Sequence, residues 1–121
     1  LINILKNYLL HKSPRVVFEF RNKSWFCDDV FDILKESNYC LCFSDMPKYE
    51  IEEPLTADFV YLRKHGSEMI YSSSYTEEEL REDAKKIKRW LKAGKDVYVY
   101  FNNDAYGYAV KNALALAKLV K

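Results

Sequence analysis

Four short apolar runs, set apart by longer segments, constrain the fold of this 121-residue chain more than any other feature. The runs are rich in the β-branched and aromatic residues that are typical of buried strands. They cover residues 16–20, 39–43, 59–63 and 97–101. Parallel neighbours need a crossover connection, which helices supply, so strands that alternate with helical segments predict a parallel sheet in an α/β fold.

Helical patterns occupy most of the segments between the runs. The clearest begins at Thr76, which forms a capping-box pattern with Glu79 and precedes apolar residues at helical spacing until Gly94. These apolar residues are Leu80, Ala84, Ile87 and Leu91. Helices are also predicted over 1–10, 28–37 and 109–120, the last with Asp104 as its N-cap and a broad apolar face. That face comprises Ala109, Val110, Ala113, Leu114, Ala117 and Val120, and the proline-containing segment 46–58 is predicted to be a loop.

Composition narrows the class of protein. Lysine and arginine total 19 and aspartate and glutamate total 18, so charge gives no reason to expect nucleic acid or a membrane surface as partner. No apolar run approaches the roughly 20 residues that span a bilayer. Three cysteines in apolar contexts predict free thiols, and therefore a cytoplasmic protein. We expect one domain over residues 1–121.

The chain has only three glycines, and no glycine-rich phosphate fingerprint follows any of the four runs. A dinucleotide-binding or P-loop fold therefore loses its main support. A segment of a (β/α)₈ barrel is favoured over a doubly wound sheet.

Polar residues follow each apolar run, where parallel α/β folds form their ligand sites. In chain order they are Glu19 and Arg21, then Ser44 and Asp45, then Arg63 and His65, and finally Asn102, Asn103 and Asp104. Because the carboxyl ends of parallel strands meet at one edge of the sheet, we expect these side chains to converge on one mouth.

Two of these groups share a two-residue spacing that places both members on one face of a strand. Glu19 and Arg21 form either a salt bridge that closes the barrel or a pair that faces a ligand. Arg63 and His65 repeat the spacing. The imidazole is suited to proton transfer near neutral pH, although a hydrogen-bonded histidine in a loop is the alternative.

Other candidates have structural alternatives. Carboxylates and His65 are suitable donors for a metal ion, but no close-spaced ligand motif is present, so we assign no metal site. Trp25 forms the floor of a pocket or packs against the next helix, and the same two alternatives stay open for Tyr75, just before the capped helix. At least one residue of the Asn102–Asp104 segment is expected to turn the chain.

Three stretches of the chain resemble one known family. FEFRNKSWF (18–26), FVYLRKHG (59–66) and VYVYFNNDAYGYAVKNALAL (97–116) are similar, in the same order, to signature stretches of the YecE-like family called domain of unknown function 72. Asp45 stands where that family has an acidic residue after the corresponding strand. The likeness spans nearly the whole chain.

The resemblance implies that the chain is the C-terminal half of a TIM-type (β/α)₈ barrel. Carried over by motif, the site residues are Glu19, Arg21, Trp25, Asp45, Arg63, His65, Asn102, Asn103 and Asp104. Family members are about twice as long as this chain. A lone half would expose unpaired strand edges, so we expect a homodimer or a complementary N-terminal half-barrel to cover them.

The expected function is that of a hydrolase or isomerase acting on a small polar or phosphorylated ligand, without an organic cofactor. Glu19, His65 and Asp45 would be catalytic. The predicted ligand-binding residues are Arg21, Trp25, Arg63, Asn102, Asn103 and Asp104. A non-catalytic half-barrel that serves binding or assembly is one alternative, and a metal-dependent phosphodiesterase or nuclease is another.

Overall fold

A parallel sheet with crossover helices is the framework of the molecule. The computed structural model describes residues 1–8, 14–45, 54–66 and 72–121. Within these ranges four strands follow one another in chain order, and every neighbouring pair is parallel. The strands are β1 (Val17–Phe18), β2 (Cys40–Ser44), β3 (Phe59–Lys64) and β4 (Asp96–Phe101). The predicted parallel α/β fold is confirmed.

The helices begin and end close to the positions that the sequence predicts. They are α1 (Ile2–Tyr8), α2 (Asp28–Glu36), α3 (Glu77–Lys92) and α4 (Tyr108–Val120), with short 3₁₀ turns at Lys23–Trp25 and Ala105–Gly107. The capping box of α3 is present: the Glu79 amide donates to Thr76 Oγ1 at 3.2 Å and the Thr76 amide donates to Glu79 Oε2 at 2.7 Å. No helix in the described ranges is long and apolar enough to cross a membrane.

One face of the sheet carries the main core. Val60 and Leu62 of β3 pack there with residues of α2, α3 and α4 in a single apolar cluster. On α3, Trp90 is buried against Phe43, with ring centroids 5.8 Å apart. Leu91, predicted to lie on the buried face, is instead 45% exposed, because Trp90 one position earlier takes the contact with the sheet.

The opposite face of the sheet, called here the open face, has no helix packed on it among the described residues. A small buried cluster of Cys40, Ala57 and Phe59 lies there, joined by Val17 and Tyr61. Burial raises the pKa of the Cys40 thiol to about 11. Towards β4 the open face is a group of tyrosines: Tyr61 stacks on Tyr100 at 5.0 Å, and Tyr98 lies 6.3 Å from Tyr61.

Strand β1 is shorter than predicted. Its pairing with β2 covers only Val17 and Phe18, whereas the apolar run continues to Phe20. Beyond the ladder the Phe20 ring stacks on Trp25 of the following 3₁₀ turn, with centroids 5.2 Å apart and planes 5° apart. Contacts of the side chains, and not strand pairing, therefore hold the end of this run.

The entry into α4 also differs from the prediction. Asp104 precedes only the 3₁₀ turn and makes no side-chain capping bond, so its assignment as the N-cap of the helix is wrong. Tyr106 and Gly107 adopt φ values of 59° and 72°, which reorient the chain before α4 begins.

The apolar face predicted for α4 is only partly buried. Val110 and Leu114 are 65% and 61% exposed, while the polar Asn112 is buried with Ala109 and Leu116. Of the other sequence predictions, the end of the first helix (9–10) and most of the 46–58 loop (46–53) lie outside the described residues.

Candidate active site

Five of the predicted site residues lie together where the open face ends. We call Glu19, Arg21, Arg63, His65 and Asn102 the strand-end cluster. Alternation along the strands produces it, because residues two apart share a face. The cluster therefore continues the rows of side chains that begin on the open face.

Glu19 is the centre of the cluster, and its side chain is only 16% exposed. Its Oε2 accepts from Arg63 Nη1 at 2.7 Å, and its Oε1 lies 3.0 Å from His65 Nε2 and 3.0 Å from Arg21 Nη2. Burial pushes the pKa of Glu19 upward, but hydrogen bonds from His65 and Arg63 outweigh it and leave this pKa below its ordinary value. The carboxylate is therefore ionised at neutral pH.

Arg63 connects the carboxylate to the last strand. Its Nε and Nη2 donate to Asn102 Oδ1 at 3.2 and 2.9 Å, while Nη1 donates to Glu19. The backbone N–H of Asn102 donates to the Lys64 carbonyl at 2.7 Å, which fixes the chain beyond β4. A planar guanidinium with donors on two sides suits this bridge.

Arg21 is the outermost member, with a side chain 51% exposed. The geometry is therefore compatible with both alternatives for Glu19 and Arg21. The two side chains form a salt bridge, and the Arg21 guanidinium is also exposed to solvent, where it can face a ligand. His65, in contrast, is almost fully buried at 1% exposure.

Asp45 contacts the main chain beside the cluster. Its Oδ1 accepts from the His65 amide at 2.6 Å, and its Oδ2 accepts from the Tyr75 hydroxyl. Burial, together with the bond to Asp45, raises the pKa of Tyr75, so the phenol stays protonated. The Lys64 ammonium lies 3.5 Å from Asp45 Oδ2.

Three predicted residues lie apart from the strand-end cluster. Asn103 is fully buried, and its Nδ2 donates to the Ser73 carbonyl at 2.9 Å and to Asn112 Oδ1 at 2.8 Å. Asp104 is exposed. Trp25 is 51% exposed and borders an apolar groove beside β1 and α2.

Sequence reasoning missed several side chains of this region. Tyr100 is paired in register with Arg63 and is 50% exposed at the top of the open face. Its position two residues before Asn102 was the available signal. The sequence leaves the role of Tyr75 open and gives no signal for Asn112, because only the packing of α3 and α4 brings these two residues near the strand ends.

The side chains of the described residues offer no grouped set of metal ligands. In the described part of the chain, no three histidine, cysteine, aspartate or glutamate side chains are grouped so that they could hold a metal ion. The acidic groups near the site are bonded to cations, amides and a phenol.

Fold and site together define a parallel α/β protein with a polar, charged cluster at the carboxyl ends of its strands. The chain belongs to the family described as "Protein of unknown function DUF72", whose model matches residues 2–121. The family resemblance of the sequence motifs is thereby confirmed.

Solved structures agree with this membership. A DUF72 family protein from Thermotoga maritima MSB8 is 27% identical, with a TM-score of 0.79 over 98% of this chain and 51% of its own. A DUF72 family protein from Enterococcus faecalis V583 is 23% identical, with a TM-score of 0.76 over 98% of this chain and 52% of its own. The chain thus spans about half the length of both. No curated protein is similar enough to count as a match.

Proposed function

We propose that the strand-end cluster is the active site of an enzyme that moves protons on a small polar or phosphorylated ligand. The observation that carries this proposal is the contact of 3.0 Å between the ionised Glu19 carboxylate and the buried His65 imidazole. A carboxylate and an imidazole at hydrogen-bond distance can accept and return a proton within one reaction cycle. Hydrolysis and isomerisation are the reaction types that such a pair serves without an organic cofactor.

The remaining members of the cluster are suited to holding the ligand. Arg21, half-exposed at the rim, offers a guanidinium to an anionic group, and Arg63 carries a second positive charge beside it. Guanidinium groups bind carboxylate and phosphate oxygens through paired hydrogen bonds. Asn102, held against Arg63, orients the polar end of the ligand.

Thermal unfolding in the presence of single phosphorylated metabolites and inorganic phosphate tests the ligand class. A ligand that binds the folded state raises the melting temperature as its concentration exceeds the dissociation constant. We expect stabilisation of the wild type, a loss of it in Arg21→Gln, and no loss in Arg81→Gln, a matched change on the exposed surface of α3.

Turnover of the stabilising compound then tests the chemistry. Glu19→Gln and His65→Ala should each lower turnover by about 10²-fold or more, as expected for a lost proton-transfer group. Unchanged turnover in both variants would show that neither Glu19 nor His65 transfers a proton in the reaction. A panel in which no compound stabilises the wild type would contradict the proposed ligand class.

We further propose that the sheet is half of a (β/α)₈ barrel, completed by a complementary unit like the half of the solved relatives that this chain does not match. Among the described residues helices cover one face only, whereas a doubly wound sheet carries helices on both faces. Both edges also border apolar grooves. The groove at β1, of about 650 Å³, lies between α1 and α2 and includes Phe18, Phe20 and Trp25. The groove at β4, of about 410 Å³, is bordered by α3 and α4 and includes Val97, Val99 and Phe101.

A chimera tests this completion. The half of the Thermotoga maritima protein that matches this chain is replaced by residues 1–121, with the unaltered parent as control. We expect a cooperative, monomeric protein in which the β4 amides exchange more slowly than in the isolated chain. A chimera that aggregates, or equally fast exchange, would contradict the proposal, and a stable dimer of the isolated chain would replace the complementary unit with a second copy.

A further inference from the structure

The main chain just after β3 is held by side chains from two other elements. Asp45, at the end of β2, accepts from the His65 amide at 2.6 Å. Tyr75, just before α3, accepts from the Gly66 amide at 2.6 Å and donates to Asp45. One carboxylate and one phenol therefore bind two successive amides, and they are bonded to each other.

These hydrogen bonds stabilise an unusual main-chain conformation at Gly66. Gly66 has a φ of 113°, a value that favours glycine, and it is buried. A buried amide without a partner is costly, so the Tyr75 hydroxyl stabilises this conformation of the chain over others. The direction of the preceding His65 side chain depends on the same turn.

Tyr75 is itself fixed from several sides. Its ring meets Phe101 edge-on, with centroids 5.6 Å apart, and is 6% exposed. Its amide donates to Asn112 Oδ1 on α4 at 3.3 Å. The Lys64 ammonium lies 4.6 Å from the ring centroid and makes an ion pair of 2.8 Å with Asp83 of α3. The hydroxyl group is therefore held at one place relative to the strand ends.

We propose that Tyr75 and Asp45 are positioning residues, which fix the 65–66 main chain so that the His65 imidazole stays within hydrogen-bond distance of Glu19. In this arrangement Asp45 binds the His65 amide and the Tyr75 hydroxyl, and it does not contact the ligand. The functional meaning of this inference rests on the proton transfer proposed for Glu19 and His65, whereas the geometry it describes can be measured without any ligand.

Nitrogen NMR of the imidazoles tests the inference in the ligand-free protein. The chain has two histidines, so His65→Gln assigns the His65 signals by difference. We expect one narrow set of His65 imidazole signals in the wild type, and shifted or exchange-broadened signals in Tyr75→Phe and in Asp45→Asn. Tyr106→Phe, at a residue 83% exposed, is the matched control and should leave the His65 signals unchanged.

Thermal unfolding of the same samples separates positioning from loss of the fold. Tyr75→Phe keeps the ring that packs on Phe101, so a cooperative transition with altered His65 signals supports the inference. If Tyr75→Phe fails to fold, the Asp45→Asn signals decide. The inference would be overturned if a folded Tyr75→Phe or Asp45→Asn variant gave His65 signals identical to those of the wild type. A negative ligand screen, in contrast, bears only on the proposed function.

Discussion

Arg63 joins three strands through a single side chain. It binds Glu19, which follows β1, and Asn102, which follows β4, while itself belonging to β3. The guanidinium supplies donors in two directions from one plane. An ammonium group at the end of a flexible stem cannot reproduce this arrangement, although it keeps the charge.

Arg63→Lys should therefore destabilise the fold although lysine keeps the positive charge. We expect the free energy of unfolding in urea to fall by about 1.5–3 kcal/mol, the range for hydrogen bonds to charged groups. Arg81→Lys, on the exposed surface of α3, is the control and should change stability by less than about 0.5 kcal/mol. Equal effects of the two substitutions would show that the bridge to Asn102 contributes nothing.

Residue alternation made part of the site predictable. Glu19 and Arg21, and likewise Arg63 and His65, stand two apart at strand ends, so the sequence places each pair on one face. The partnership of Asp45 with Tyr75 joins residues 30 positions apart. No local pattern encodes it, because it depends on how α3 packs on the sheet.

Among the elements, the strands are unequally paired. β3 pairs with β4 over six residue pairs, whereas β1 pairs with β2 over two. Hydrogen exchange should therefore be slowest in β3, which pairs over three residues with β2 and over six with β4, and fastest in β1 among the four strands. Exchange in β1 as slow as in β3 would show that partners outside the described pairs protect it.

Helix α3 depends on its N-terminal cap, which directly follows Tyr75. Thr76→Ala removes the side-chain acceptor of the Glu79 amide and should lower the free energy of unfolding by about 1 kcal/mol. Thr76→Ser keeps the hydroxyl and is the matched control. Chemical denaturation of the three proteins measures the difference, and equal losses in both variants would contradict a capping role.

The strength of local signals explains which elements the sequence predicts well. The capping box and apolar spacing fix α3, and continuous apolar runs mark β2, β3 and β4. The start of α4 escapes prediction because Tyr106, a non-glycine residue, takes a positive φ there. Periodicity reports which residues are apolar, and tertiary packing decides which of them are buried.

For the molecule as a whole, Glu19 couples stability to pH. Its pKa in the folded protein lies below the ordinary value of 4.5, so the unfolded chain binds the proton more readily. The resulting stabilisation is present above pH 4.5 and is lost as the pH falls through the lowered folded pKa.

Urea midpoints measured from pH 6 down to pH 3 should show this loss. Glu19→Gln should be less stable than the wild type at pH 6 and should lose less stability on acidification. Glu36→Gln, at an exposed carboxylate outside the site, is the control. A wild-type profile parallel to that of Glu19→Gln would exclude Glu19 as the source of the acid sensitivity.

The α/β class and the parallel sheet followed from the sequence because strand and helix periodicities differ along the whole chain. The sequence did not predict which face of the sheet is covered by the helices. β4 alternates Val97, Val99 and Phe101 with Asp96, Tyr98 and Tyr100, yet only the structure shows which set the helices cover.

The two tryptophans of the chain stand in opposite surroundings. Trp90 is 5% exposed against Phe43, and Trp25 is 51% exposed on Phe20 beside the β1 groove. Intrinsic fluorescence should therefore contain a blue, acrylamide-resistant component from the core and a red, readily quenched component from the sheet edge. The protein thus carries two built-in optical reporters, one for global unfolding and one for anything that comes to cover the first strand.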